Sequence, residues 1–276
     1  MRSRPKLLAA VAETCAPSGR AVAIQCPRGR AIGRANKISN DMLSFASTHL
    51  AGTELPARIA LVHATELAVE PINQAFAELY PEAQLSNILD DSLLSDLGAN
   101  GGEVAPELLD RLASLVRYGE TAGADAVLLT CSSFGPAAAE FGELVDVPFF
   151  RADDALIDAA LQRGTRVGVV ATVPSAVATA EQALESAAAE AGLRVEISSV
   201  LCADSFAALK AGDQDRADRL VAEAAAALAR DCDVVILAQY SMTGAIAKLP
   251  PALSERVLSS PHQGVIRLKS LFEGAN

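Results

Sequence analysis

The chain reads as an α/β protein: two pseudo-symmetric, doubly wound parallel-sheet halves, Rossmann-like, with the active site expected in the cleft between them. Three observations carry this reading. From Arg58 onward, short aliphatic runs alternate with Ala- and Leu-rich stretches of helical length. Several of the runs are continuously apolar rather than alternating, which marks strands buried on both faces of a parallel sheet. The pattern also recurs. RIALVHA from Arg58 aligns with RVGVVAT from Arg166, and DAVLLTC from Asp125 aligns with DVVILAQ from Asp233, both at an offset of 108. Two strand pairs sharing one offset point to a duplicated domain rather than a solenoid.

The elements follow in chain order. Strands are expected over 58–62, 84–88, 125–130, 147–150, 166–171, 195–200, 233–238 and 256–259. Helices are expected over 71–80, 105–121, 153–163, 174–191, 214–230 and 261–272. Strands joined by helices build open, doubly wound sheets. Gly98, Gly101 and Gly102 read as a loop after Asp90-Asp91-Ser92, without the setting of a phosphate loop. The halves are bounded at 57–152 and 153–260, and the last helix, 261–276, is expected to return to the first half.

Residues 1–56 differ. They carry Pro5, Pro17 and Pro27 and show no sustained periodicity. Up to residue 41 there are eight Arg and Lys against Glu13 and Asp41, a charge near +6, which leaves about −17 for the rest of a chain of net charge −11. This basic stretch reads as a dispensable leader, with a start at Met42, an organelle-type targeting peptide or a small packed subdomain as alternatives.

Composition narrows the function classes. An acidic chain repels phosphate backbones, and the sparse aromatics, with no Trp, offer no base-stacking platform, so no nucleic-acid partner is expected. No apolar run reaches the roughly 18 residues that span a bilayer, so no membrane partner is expected. Five Cys at 15, 26, 131, 202 and 232 have no paired spacing. They read as free thiols in a reducing cytoplasm. The three His are scattered, which gives no metal site. Dinucleotide, P-loop and nucleophile-elbow signatures are missing from the chain.

Ligands of open α/β sheets bind beyond the C-terminal ends of the strands. Four motifs fall there: His63-Ala64-Thr65-Glu66, Cys131-Ser132-Ser133-Phe134-Gly135-Pro136, Thr172-Val173-Pro174-Ser175, and Gln239-Tyr240-Ser241-Met242-Thr243-Gly244. Cys131 is the candidate acid/base. Pro136 suits the first turn of a following helix, whose N–H groups would lower the thiol pKa and hold a carboxylate. The competing reading for any strand-end Cys is inert core. That reading is preferred for Cys202 and Cys232. His63 fits either a substrate contact or a hydrogen-bonded structural His, and Tyr240 either a substrate contact or core. His262 bonds locally or reaches the cleft.

A Cys followed by small hydroxyl residues at a strand end, with an equivalent position one repeat later, resembles the aspartate/glutamate/hydantoin racemase superfamily, which also holds maleate isomerase and arylmalonate decarboxylase. The resemblance covers roughly residues 58–260. It implies cofactor-independent proton transfer at the α-carbon of a small carboxylate: an amino acid, a hydantoin or a dicarboxylate. In the family two cysteines face each other across that carbon. Cys131 matches the first, while the second position holds Gln239. By resemblance, Ser132, Ser133 and the 239–241 turn (Gln239, Tyr240, Ser241) bind the substrate carboxylate, with Thr65, Thr172 and His63 adding contacts. The reaction expected is racemisation or isomerisation. A lyase protonating an ene-diolate from Cys131 and a non-catalytic small-molecule binding protein stand as alternatives, and a homodimer is compatible with either.

Overall fold

The computed structural model describes residues 56–273. The leader, Met42, Cys15 and Cys26 therefore lie outside the described residues.

In the first half, β1 (Arg58–His63) leads through a 3-10 turn into α1 (Val69–Leu79), β2 (Gln84–Leu89), α2 (Ser92–Ala99), α3 (Pro106–Thr121), β3 (Ala126–Leu129) and β4 (Phe149–Arg151). The second half repeats this with α4 (Asp154–Arg163), β5 (Arg166–Ala171), α5 (Pro174–Glu190), β6 (Glu196–Leu201), α6 (Ala203–Lys210), α7 (Gln214–Leu228), β7 (Val234–Leu237), α8 (Pro251–Ser254), β8 (Val257–Ser259) and α9 (Ser260–Glu273). Each sheet has four parallel strands, ordered β2-β1-β3-β4 and β6-β5-β7-β8.

The duplication extends to single hydrogen bonds. The N–H of Arg58 donates to Asp125 Oδ2 at 2.8 Å, and the N–H of Arg166 donates to Asp233 Oδ2 at 3.0 Å. Each Asp opens the central strand of its sheet and satisfies the first N–H of the neighbouring strand. The central strands β3 and β7 are buried along their whole length. That is why they read as unbroken apolar runs.

The halves exchange helices. After β4, α4 carries Leu156, Ile157 and Ala160 onto Val234, Ile236 and Leu258 of the second sheet. After β8, α9 carries Val265 and Leu268 onto Ile59, Leu61 and Leu128 of the first. Each fully buried Leu, Ile or Val contributes about 1.5–3 kcal/mol, so the exchanged helices join the halves through apolar burial.

Local structure departs from the sequence reading in three places. The segment around Gly98 is helical: α2 runs to Ala99, and only Gly101 and Gly102 form the turn beyond it, at φ +67 and +85. No α-helix follows Cys131. Ser132–Phe134 is a single 3-10 turn, Pro136 lies in a turn, and a second 3-10 stretch runs over Ala139–Leu144. With only four residues between Phe134 and Ala139, the chain turns back toward β4 too early for an α-helix. Two short helices, α2 and α6, fill segments left unassigned between strand and helix in each half.

Candidate active site

A cleft of about 370 Å³ opens at the C-terminal ends of the central strands, between the two halves. Cys131, Ser132 and Ser133 enter it from the end of β3, and Gln239, Tyr240 and Ser241 from the end of β7. Thr65 joins from the end of β1, where its hydroxyl also caps the following turn by accepting from the Leu67 N–H at 3.4 Å. The walls are apolar: Leu67, Leu94, Leu97, Val173 and Phe206.

Cys131 closes β3 and is 6% exposed. Burial pushes its thiol up from the usual range, and the charge of Asp153 acts in the same direction. The N–H groups of Ser133 and Phe134 face the sulfur and oppose the shift without overcoming it. The expected lowering of this thiol is thus reversed. A three-residue turn supplies only two N–H groups, and desolvation of a buried thiolate outweighs them.

Gln239 holds the position equivalent to Cys131, one repeat later. Its Oε1 accepts from both the backbone N–H of Thr172 at 2.7 Å and the Thr172 hydroxyl at 2.9 Å. With the oxygen engaged twice, the amide N–H2 group is left as the donor end. Thr172 is 5% exposed and does not line the cleft. Its two bonds support Gln239.

Of the two readings of His63, the geometry favours the hydrogen-bonded structural one. The residue is fully buried at the end of β1, with Nδ1 bonded to Thr130 Oγ1 at 2.7 Å and Nε2 to Asn87 Oδ1 at 2.8 Å. Burial lowers its pKa, and the bond to Asn87 partly opposes this. Thr130 in turn lines the cleft and bonds the Val62 carbonyl at 3.1 Å. His63 therefore ties the ends of β1, β2 and β3 together and does not face the cleft. His262 bonds Ser259 Oγ at 2.7 Å, the local role.

Sequence reasoning missed Asp153. It stands at the N-cap of α4 without capping it. Instead its Oδ1 accepts from the Ser260 hydroxyl at 2.6 Å, and the Ser132 hydroxyl lies alongside. This bond crosses the molecule, from the first residue of α9 to the entry of α4. Burial raises the Asp153 pKa, opposed by the Ser260 and Ser132 hydroxyls. Beside it, Tyr240 is 5% exposed and its hydroxyl has no hydrogen-bond partner. Burial holds that phenol well above its ordinary range, with the charges of Asp153 and Cys131 adding to the effect. Tyr240 packs into the first-half core with Ala68 and Ala152 while it lines the cleft. The available signal for Asp153 was its place: an Asp at a strand-to-helix junction, one residue from the repeat equivalent of Ser260.

No group of three or more His, Cys, Asp or Glu that would hold a metal occurs among the described residues. No described helix is long and apolar enough to cross a membrane.

The fold and the paired strand ends define a class: two-domain α/β proteins with a shared cleft at their duplicated strand ends. A family model of the Asp/Glu/hydantoin racemases matches residues 59–266, and the chain belongs to that family. Among solved structures, it is similar to allantoin racemase from Klebsiella pneumoniae, at a TM-score of 0.59 and 15% identity, covering 79% of this chain and 89% of that one. An aspartate racemase homologue from Pyrococcus horikoshii OT3 gives 0.58 and 18%, covering 78% and 98%. A glutamate racemase from Bacillus anthracis gives 0.55 and 15%, covering 81% and 84%. These likenesses show the fold. Comparison with curated proteins finds no sequence match.

Proposed function

We propose that the chain is a cofactor-independent isomerase or racemase of a small carboxylate, with Cys131 as the acid/base at the α-carbon. The observation that supports this reading is the placement of one thiol at a central strand end, on the wall of a cleft shared by both halves. Ser132, Ser133, Ser241 and the Gln239 amide N–H2 are the donors for the carboxylate. Thr130, held by His63, is fixed within the first half, and Gln239, held by Thr172, within the second. Donors fixed before substrate arrives stabilise the charge that develops on the carboxylate when the α-proton leaves.

A symmetric two-thiol exchange is not available to this site, because an amide neither takes nor gives a proton near neutral pH. On the second face, the protic group is the Tyr240 hydroxyl or water. This favours a second reading, a lyase. There the bond from the α-carbon to a departing carboxylate breaks and its electron pair stays on the carbon as an ene-diolate. CO2 leaves, and the Cys131 S–H delivers a proton to that carbon. The thiolate then recovers a proton from water. A thiol kept protonated by burial suits this donor role.

The test is incubation in D2O with dicarboxylates, amino acids, hydantoins and malonates, read by NMR and CO2 release. Isomerisation conserves mass, decarboxylation releases CO2, and a binding protein does neither. Cys131→Ala is expected to lose about 10²–10⁴-fold in turnover, the usual worth of a positioned acid/base, with the fold retained. Full turnover in that variant would falsify the Cys131 mechanism. The pH profile separates the two readings. If Cys131 acts first as base, kcat/KM rises with pH beyond the ordinary thiol value of about 8.5. If it acts as acid, the rate stays level through that pH and falls only above it.

A further inference from the structure

We propose that the substrate is a carboxylate whose α-carbon bears an apolar group and no ammonium; this rests on the cleft around Cys131 being the substrate site. Among the described residues, no Asp, Glu, Lys, Arg or His lines that cleft. Its polar side chains are hydroxyls, the Cys131 thiol and one amide, and its walls are apolar.

The amide decides the sign of charge that is welcome. Gln239 Oε1, the acceptor an ammonium would seek, is already engaged twice by Thr172, and its N–H2 end remains as a donor. Hydroxyls serve a carboxylate as donors, but they give an ammonium only neutral acceptors. A buried cation without a carboxylate partner loses hydration that neutral acceptors do not restore. Acids that neighbour wall residues in the chain stand outside the cleft lining. Glu66, Asp96 and Asp204 are exposed, and Asp96 is paired with Arg111 at 2.7 Å. Asp153 lines a neighbouring groove with Oδ1 occupied by Ser260; its charge acts on Cys131 and Tyr240, but burial disfavours that charge. The Lys210 Nζ lies 5.0 Å from the centre of the Phe206 ring. Phe206 lines the cleft, so a cation sits against this wall residue.

The walls decide the substituent. The corresponding short helices of the two halves, α2 and α6, contribute Leu94, Leu97 and Phe206, and the first turn after β1 contributes Leu67, which is 48% exposed. An exposed Leu on a cleft wall gains burial only if the ligand brings apolar surface to it.

The experiment compares ligands of one skeleton. Binding of 3-phenylpropanoate and of L- and D-phenylalanine is measured by titration calorimetry on the full chain, in wild type and in Cys131→Ala. The expected result is at least tenfold tighter binding of 3-phenylpropanoate than of either phenylalanine in both proteins. Leu67→Asp, which adds a carboxylate at an exposed wall position, is expected to narrow that gap. Equal or tighter binding of phenylalanine overturns the proposal, as does binding of none of the three at millimolar concentration, or an unchanged gap in Leu67→Asp. The Cys131 mechanism fails separately: undiminished turnover in Cys131→Ala removes it and leaves the order of binding untouched.

Discussion

His63 and Asp153 are both buried ionisable groups, and each has a pH signature of opposite sign. His63 is neutral in the fold, with a pKa below its unfolded value near 6.5. Its contribution is present above that value and is lost as pH falls through it, because the unfolded chain then binds the proton more readily. His63→Ala leaves Thr130 and Asn87 without their buried partner and is expected to cost about 1–3 kcal/mol. Denaturant unfolding between pH 5 and 8 checks this: the variant's stability should vary less over that range than the wild type's. A variant as stable as wild type would rule out the strand-tying role. Asp153 runs the other way. Its raised pKa makes ionisation costly in the fold, so the cost sets in as pH rises above the unfolded value near 3.9 and is complete above the folded one. Asp153→Asn keeps an acceptor for the Ser260 hydroxyl and removes the charge. Its melting temperature relative to wild type should be more favourable at pH 8 than at pH 4, and a relative loss that grows with pH would contradict the assignment.

Among elements, α3 shows how closely a helix seats on the sheet. A Cβ at Gly119 would stand 2.7 Å from the Ala60 Cβ on β1, so the pair of small residues sets the helix-to-strand distance. Gly119→Val is expected to push α3 off the sheet at a cost of about 1–3 kcal/mol, the usual range for overpacking. Thermal melts check this, and an unchanged midpoint would show that α3 relaxes freely. The exchanged helices α4 and α9 were legible as helices from their periodicity. The bond between their starts was not, because Ser260 and Asp153 are 107 residues apart in the chain. Likewise α2 and α6 escaped the sequence reading, since eight residues give a weak period.

For the molecule as a whole, duplication has produced equivalent positions with unequal chemistry: thiol at 131, amide at 239. Gln239→Cys restores a symmetric pair in a site whose two strand ends share one topology. It is expected to add or increase α-proton exchange on the second face, read as deuterium incorporation with loss of stereochemical bias. Unchanged stereochemistry, with the variant folded, would count against a facing arrangement. Thr172 would lose its acceptor in this variant, so a modest drop in stability is expected alongside.

The sequence by itself determined the strands, their parallel burial, the repeat offset and the strand-end motifs, because each is written in local hydrophobic pattern and in spacing that survives in one dimension. Cys131, Gln239 and the hydroxyl turns were visible for the same reason. Only the tertiary structure decided what each group does there. Contacts between residues far apart in the chain put His63 behind Thr130, spent the Gln239 oxygen on Thr172, and brought Asp153 to Ser260. Burial, which depends on everything packed around a site, turned the expected fall in the Cys131 pKa into a rise. The composition of a cleft wall is likewise a property of the closed fold, since Leu67, Leu94, Val173 and Phe206 come from four separate segments that meet only there.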